Sequence, residues 1–164
     1  LRIHPAAKII SAEYGNPINY MEGPINIKIN FIIPGYSFTG SNEMIFTPLL
    51  ATHFMSRAMG HLYMNTTIEE RKFGFRDRCS RLVELEETIT IPSGFKPVLP
   101  DVNTTLEGIS ASYTGGYSLK GNTIELKQKV VLEKRIYESS DWQEVRPVVK
   151  AQQDMAELPI VLKK

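Results

Sequence analysis

Thr123-Ile124-Glu125-Leu126-Lys127-Gln128-Lys129-Val130-Val131-Leu132 alternates apolar and polar side chains. A strand points successive side chains to opposite faces. Ile124, Leu126, Val130 and Leu132 therefore share an inward face, with Thr123, Glu125, Lys127 and Lys129 outward. Gln128 is the polar exception inside. Just before this run stands Gly121-Asn122, a two-residue loop with glycine first, which suits a type II′ hairpin turn. The stretch thus predicts an antiparallel hairpin with one buried face.

The same period extends along the chain. Leu82 to Ile91 places Val83, Leu85, Ile89 and Ile91 on one face and Glu84, Glu86, Thr88 and Thr90 on the other, with Glu87 the odd member on the apolar side. Ile25, Ile27, Ile29, Phe31 and Ile33 form another alternating run, stopped by Pro34-Gly35. Phe95 to Leu99 is a short strand or extended connection that Pro97 confines to an edge. Glu107 to Tyr113 and Tyr117 to Leu119 read as two strands with Gly115-Gly116 as the turn between them. From Ser140 to Ala156 the period changes. Trp142, Val145, Val149 and Ala156 fall at helical spacing, and Ser140 with Gln143 resembles a capping box. Pro147 predicts a kink or a late start. Pro159 ends the helix, and Ile160-Val161-Leu162 is a last short strand. Asn42 to Met64 has no clean period, and Pro48 to Met59 fits a helix. The fold class expected is mainly β: an antiparallel β-sandwich, immunoglobulin-like or related, with one C-terminal helix packed on it. We read residues 1–164 as a single domain. Asn65-Thr66-Thr67 is the best candidate boundary, but both sides are β-rich.

The composition agrees. The chain has 164 residues, 42% hydrophobic and 23% charged, enough for a sizeable core. Nineteen basic and eighteen acidic residues leave a formal charge of +1, which argues against a nucleic-acid surface or a polybasic membrane anchor. The single cysteine, Cys79, excludes an internal disulfide and multi-cysteine zinc sites. No apolar run approaches the ~18 residues of a spanning helix. The chain begins at Leu1 without a signal-like segment, so it reads as a piece of a longer protein.

Candidate chemistry is sparse. Cys79 has Asp77 and His4, His53 and His61 as formal partners for a nucleophile site, and Arg76, Arg78 and Arg81 favour a thiolate. No small-residue turn into a helix accompanies it, so an incidental thiol is the preferred reading. His53 and His61 would stand about 12 Å apart along a helix, too far for one metal. Glu69-Glu70 and Glu86-Glu87 are adjacent strand residues on opposite faces, unsuited to a paired-carboxylate site. Gly115-Gly116 and Gly121-Asn122 lack the strand-to-helix context of a phosphate loop. Arg71-Lys72, Arg76, Arg78 and Arg81, interleaved with Phe73 and Phe75, suggest a nucleic-acid strand. The preferred reading is a strand with both phenylalanines inward and its charges in water. Tyr14, Tyr20, Tyr36, Tyr113, Tyr117 and Tyr137 offer a glycan platform against the commoner role of packing.

The order of these segments is similar to a known family. Glu70-Arg71-Lys72-Phe73 is followed by Glu87-Thr88-Ile89-Thr90-Ile91-Pro92-Ser93-Gly94-Phe95 and Leu99-Pro100. Ser110-Ala111-Ser112-Tyr113 comes next, then the hairpin Leu119 to Ile124, Tyr137, the Trp142 to Val149 helix and the terminal Ile160 to Lys164. Together they resemble the C-terminal β-rich domain of bacterial transglutaminase-like proteins of the Bacteroidetes type. The similarity covers residues 66–164, with 1–65 as first strands of the same region. In that family the Cys-His-Asp triad belongs to a separate central core whose cysteine precedes its histidine. Here all three histidines precede Cys79, and no catalytic residue carries over. The resemblance implies a non-catalytic accessory domain docked on an upstream core of the same polypeptide, in a periplasmic or cell-surface setting. The alternative is an autonomous glycan- or peptide-binding module. No cofactor, metal, nucleic acid or membrane span is expected.

Overall fold

The computed structural model describes residues 4–16, 24, 26–51 and 64–164. The chain divides into two compact units, residues 1–36 and 37–164.

The first unit contains strands β1 (Lys8–Tyr14) and β2 (Ile27–Ile32), paired antiparallel. Tyr14, Ala12 and Ile9 stand opposite Ile27, Ile29 and Phe31, while Glu13 and Ser11 oppose Lys28 and Asn30. Opposed residues share a face, so one face is apolar and the other is polar except for Ile32, which stands opposite Lys8. Asn30 Nδ2 donates to Ser11 Oγ at 2.7 Å across the polar face. A register shift between Ile9 and Ser11 inserts Ile10, and this bulge lets Ile9 oppose Phe31.

The second unit is built on a four-stranded antiparallel sheet in the order β6 (Arg81–Thr90), β10 (Thr123–Leu132), β9 (Ala111–Lys120), β8 (Thr104–Leu106). The β9–β10 turn is the expected one. Gly121 has φ 58°, and among the described residues no non-glycine has positive φ, the pattern of a type II′ turn. Ile124, Leu126, Gln128, Val130 and Leu132 are all buried, as alternation predicts. Gly115-Gly116 is not a turn. β9 runs unbroken through both glycines, with Gly115 opposite Gln128 and Gly116 opposite Lys127. Crowding accounts for the two glycines instead. A Cβ on Gly115 would collide with the Tyr113 hydroxyl, and one on Gly116 with the Asn103 side chain.

A second sheet has the order β3 (Phe38–Thr39), β4 (Glu43–Phe46), β12 (Ile160–Lys163), β7 (Lys96–Val98). β7 carries Pro97 and lies at the edge, where a missing N–H is tolerated. β4 pairs with β12 from Glu43↔Lys163 to Phe46↔Ile160. Glu43–Phe46 therefore supplies a strand inside the segment that shows no sequence period. The helix expected over Pro48 to Met59 falls largely outside the described residues; of those described, Pro48 is irregular and Leu49 to Ala51 form a turn. β5 (Phe75–Arg76) and β11 (Ile136–Tyr137) form a small third pair.

Helix α1 (Trp142–Glu157) follows a 3-10 turn at Ser139–Asp141 and continues through Pro147. Its start is organised by Asp141, not by the Ser140/Gln143 pair. The Glu138 N–H donates to Asp141 Oδ2 at 2.8 Å.

Helix and second sheet share the inner face of the large sheet. Ile124, Leu126 and Tyr117 pack with Ile160 and Leu162 in one cluster; Val130, Leu132 and Tyr113 pack with Trp142, Val145, Val148 and Val149 in another. The result is mainly β, antiparallel and sandwich-like, with one C-terminal helix.

Candidate functional site

The nucleophile constellation does not assemble among the described residues. Cys79 is exposed. Asp77 is engaged elsewhere: Arg81 Nη2 donates to both its carboxylate oxygens at 2.7 Å. No histidine lies among the described residues of the second unit; His53 and His61 are outside them. His4 belongs to the first unit, where its Nδ1 accepts the Ala6 N–H at 3.1 Å and its ring meets Tyr36 edge-on. No group of three potential metal ligands occurs among the described residues.

Of the carboxylate candidates, Glu69 and Glu70 lie outside any strand, and Glu86 and Glu87 have local partners. Glu86 faces Lys127 at 3.4 Å and Glu84 faces Lys129 at 3.1 Å, across directly opposed positions of β6 and β10. These charges line a depression of about 470 Å³ on the outer sheet face. Its ions are paired and exposed, so it reads as a solvated ladder. Glu87, the odd member of β6, accepts the Leu49 and Leu50 N–H groups at 3.1 and 2.8 Å. It closes the turn that follows β4, a use that only the tertiary fold makes visible.

The tyrosines do not form a glycan platform. Tyr113, Tyr117 and Tyr137 are buried, Tyr36 is half-buried, and Tyr20 lies outside the described residues. Burial holds the Tyr113 and Tyr117 hydroxyls above their ordinary pKa. Both hydroxyls and the Gln128 amide are buried without a hydrogen-bond partner among the described residues. Gln128 lies between Leu126, which packs under the second sheet, and Val130, which packs under α1. This seam is a polar feature that alternation flagged only as an exception.

At the α1 end, Asp141 is a structural node. Its carboxylate accepts Lys134 Nζ at 2.7 Å and Ser110 Oγ at 2.6 Å, and these bonds hold its pKa below the usual carboxylate range. Glu144 adds a bond from the Ser110 N–H at 2.6 Å. The acids near the helix start thus fasten the β9 entry to α1.

Exposed apolar side chains occur in both units, among them Phe38, Leu82, Val98, Ile109 and Leu119 of the second. In the first unit Ile9, Ile10, Tyr14 and Ile27 are 58%, 66%, 69% and 53% exposed, and all but the bulged Ile10 lie on the apolar face of the β1–β2 pair. In the second unit Phe73 and Ile136 are exposed. Phe75 packs inward as expected, stacked on Tyr137 at 4.8 Å between centroids; Phe73 does not, which corrects the reading of both as inward. No described helix is long and apolar enough to cross a membrane.

Comparison with known proteins bears on these surfaces. The family described as "Domain of Unknown Function with solved-structure structure (DUF3858)" matches residues 42–162. No curated protein matches the chain. A crystal structure from the Bacteroidetes species Parabacteroides distasonis, whose protein is described as a "putative protease", is similar with a TM-score of 0.60 and 17% identity. The match covers 77% of this chain and 24% of that one. The chain thus spans about a quarter of the length of that protein, and the likeness is one of fold.

Proposed function

The chain belongs to the DUF3858 family, and from that premise we propose that it is a non-catalytic accessory part of a larger transglutaminase-like polypeptide, docking on and positioning the catalytic core. The observation that carries the reading is the one-sided β1–β2 pair, with its apolar face exposed at Ile9, Tyr14 and Ile27. A two-stranded sheet is marginal in water unless that face is covered. The pair precedes the matched residues 42–162, and the fold likeness is to a quarter of a much longer chain. Both facts favour the core of the same polypeptide as the cover. The order of turns and strands that resembles the transglutaminase-associated domain supports the same assignment, and an exported, periplasmic or surface setting goes with it. The pairing of Glu84 and Glu86 with Lys129 and Lys127 supports a non-catalytic role.

The test is calorimetric titration of the 164-residue chain into the separately produced catalytic portion of the parent. Micromolar or tighter binding is expected. Changing Tyr14→Asp together with Ile27→Asp should weaken it about tenfold, the loss of two partly buried apolar contacts. Absence of heat with both pieces folded would sink the docking reading.

A further inference from the structure

The corner formed by β5 and β11 presents exposed cations around exposed apolar groups. Arg76 stands opposite Ile136, and the Asp77 N–H donates to the Arg135 carbonyl at 3.0 Å. Pairing therefore brings Arg76, Arg78 and Arg135 to one two-stranded corner. All three are exposed, and none makes an ion pair among the described residues. Phe73 and Ile136 beside them are 74% and 69% exposed.

The corner is held rigidly from beneath. Phe75 stacks on Tyr137 and meets Trp142 edge-on. The Arg71 guanidinium lies 4.5 Å from the Phe75 ring centroid and 4.1 Å from that of Trp142. Asp77 and Arg81, whose side chains are only 10% and 9% exposed, lock the following turn. The backbone that carries these cations is thus ordered before binding.

We propose that this corner is a binding surface for an acidic protein segment that carries apolar side chains. Guanidinium groups match carboxylates in a two-pronged geometry, and Arg with aromatic side chains is the composition of interface centres. A continuous phosphate backbone fits less well. Glu133 and Glu138 are exposed in the segments flanking β11, and the chain as a whole carries only +1. Apolar side chains of a protein segment can cover Phe73 and Ile136 while its carboxylates meet the guanidinium groups, a combination that a uniform phosphate backbone does not offer. The surface involves different residues from the β1–β2 docking face and stands or falls separately.

The test uses the 164-residue chain and fluorescence anisotropy with a labelled glutamate–tyrosine copolymer, alongside a labelled oligothymidylate. Saturable copolymer binding that weakens with salt is expected. The triple change R76E/R78E/R135E should weaken it about tenfold, with the thermal midpoint reported in parallel. If the triple variant is unfolded, R78E and F73S alone should each weaken binding about threefold. No copolymer binding, or binding indifferent to these changes, overturns the proposal. Oligothymidylate bound as tightly would assign the corner to nucleic acid and overturn it too. So would self-association of the chain that the charge reversal abolishes, since the occupant would then be a second copy.

Discussion

Gly115 illustrates how one residue holds a strand together. It lies where the Tyr113 ring folds back over the sheet, so a methyl group there meets the phenolic oxygen. Gly115→Ala should destabilise by about 2 kcal/mol, a usual cost of overpacking. Adding Tyr113→Phe should recover part of that loss, measured by urea unfolding as a double-mutant cycle; strict additivity would refute the contact. Gln128, opposite Gly115, is a buried amide without a partner among the described residues. Gln128→Leu removes an unpaired polar group at similar volume. It should stabilise by about 1 kcal/mol, which raises the thermal midpoint by about 2–4 °C in a chain of this size. A fall in the midpoint would mean that the amide is hydrogen-bonded in solution. Both residues stood out in the sequence, Gly115 as a turn and Gln128 as an exception. Their roles were illegible there because they depend on Tyr113 and on the boundary between two covering layers.

At the scale of elements, α1 shows what periodicity carries and what it omits. Trp142, Val145 and Val149 are buried at the predicted spacing. The helix start is set by Asp141, whose carboxylate gathers Lys134, Ser110 and the Glu138 N–H. Ser110 is 31 residues away, so a local capping pattern could not identify it. Asp141 has a folded pKa below its ordinary value. A carboxylate of that kind stabilises the fold above its unfolded pKa, about 3.9, and loses that contribution as pH falls through the folded value. Stability should therefore fall more steeply below about pH 4 in the native chain than in Asp141→Asn. Urea midpoints between about pH 5 and pH 2 check this, and equal slopes would remove Asp141 from the acid response.

The whole molecule divides at residues 36 and 37. The buried clusters between the sheets and beneath α1 are made of residues from Met44 to Leu162. A chain of residues 37–164 should therefore keep its cooperative transition, with a midpoint within about 3 °C of the full chain. Residues 1–36 alone should show little β signal by circular dichroism, since two strands rarely suffice. Loss of the cooperative transition on truncation would mean that the first unit is part of the fold of the second. The same division separates the two surfaces proposed for binding, the apolar face of β1–β2 and the basic corner at β5–β11, so their variants can be tested independently.

The sequence by itself determined the strands β6 and β10, the Gly121-Asn122 turn, the edge position of Pro97 and the apolar stripe of α1. Each follows from sterics or side-chain period within a few residues. Only the tertiary structure decided that β9 runs through two glycines, that Glu87 closes a turn 37 residues away, that three tyrosines are buried and that Phe73 is left outside while Phe75 stacks inward. Those outcomes depend on which surfaces distant segments bring to a residue, and alternation along the chain says which side a residue faces but not what will cover it.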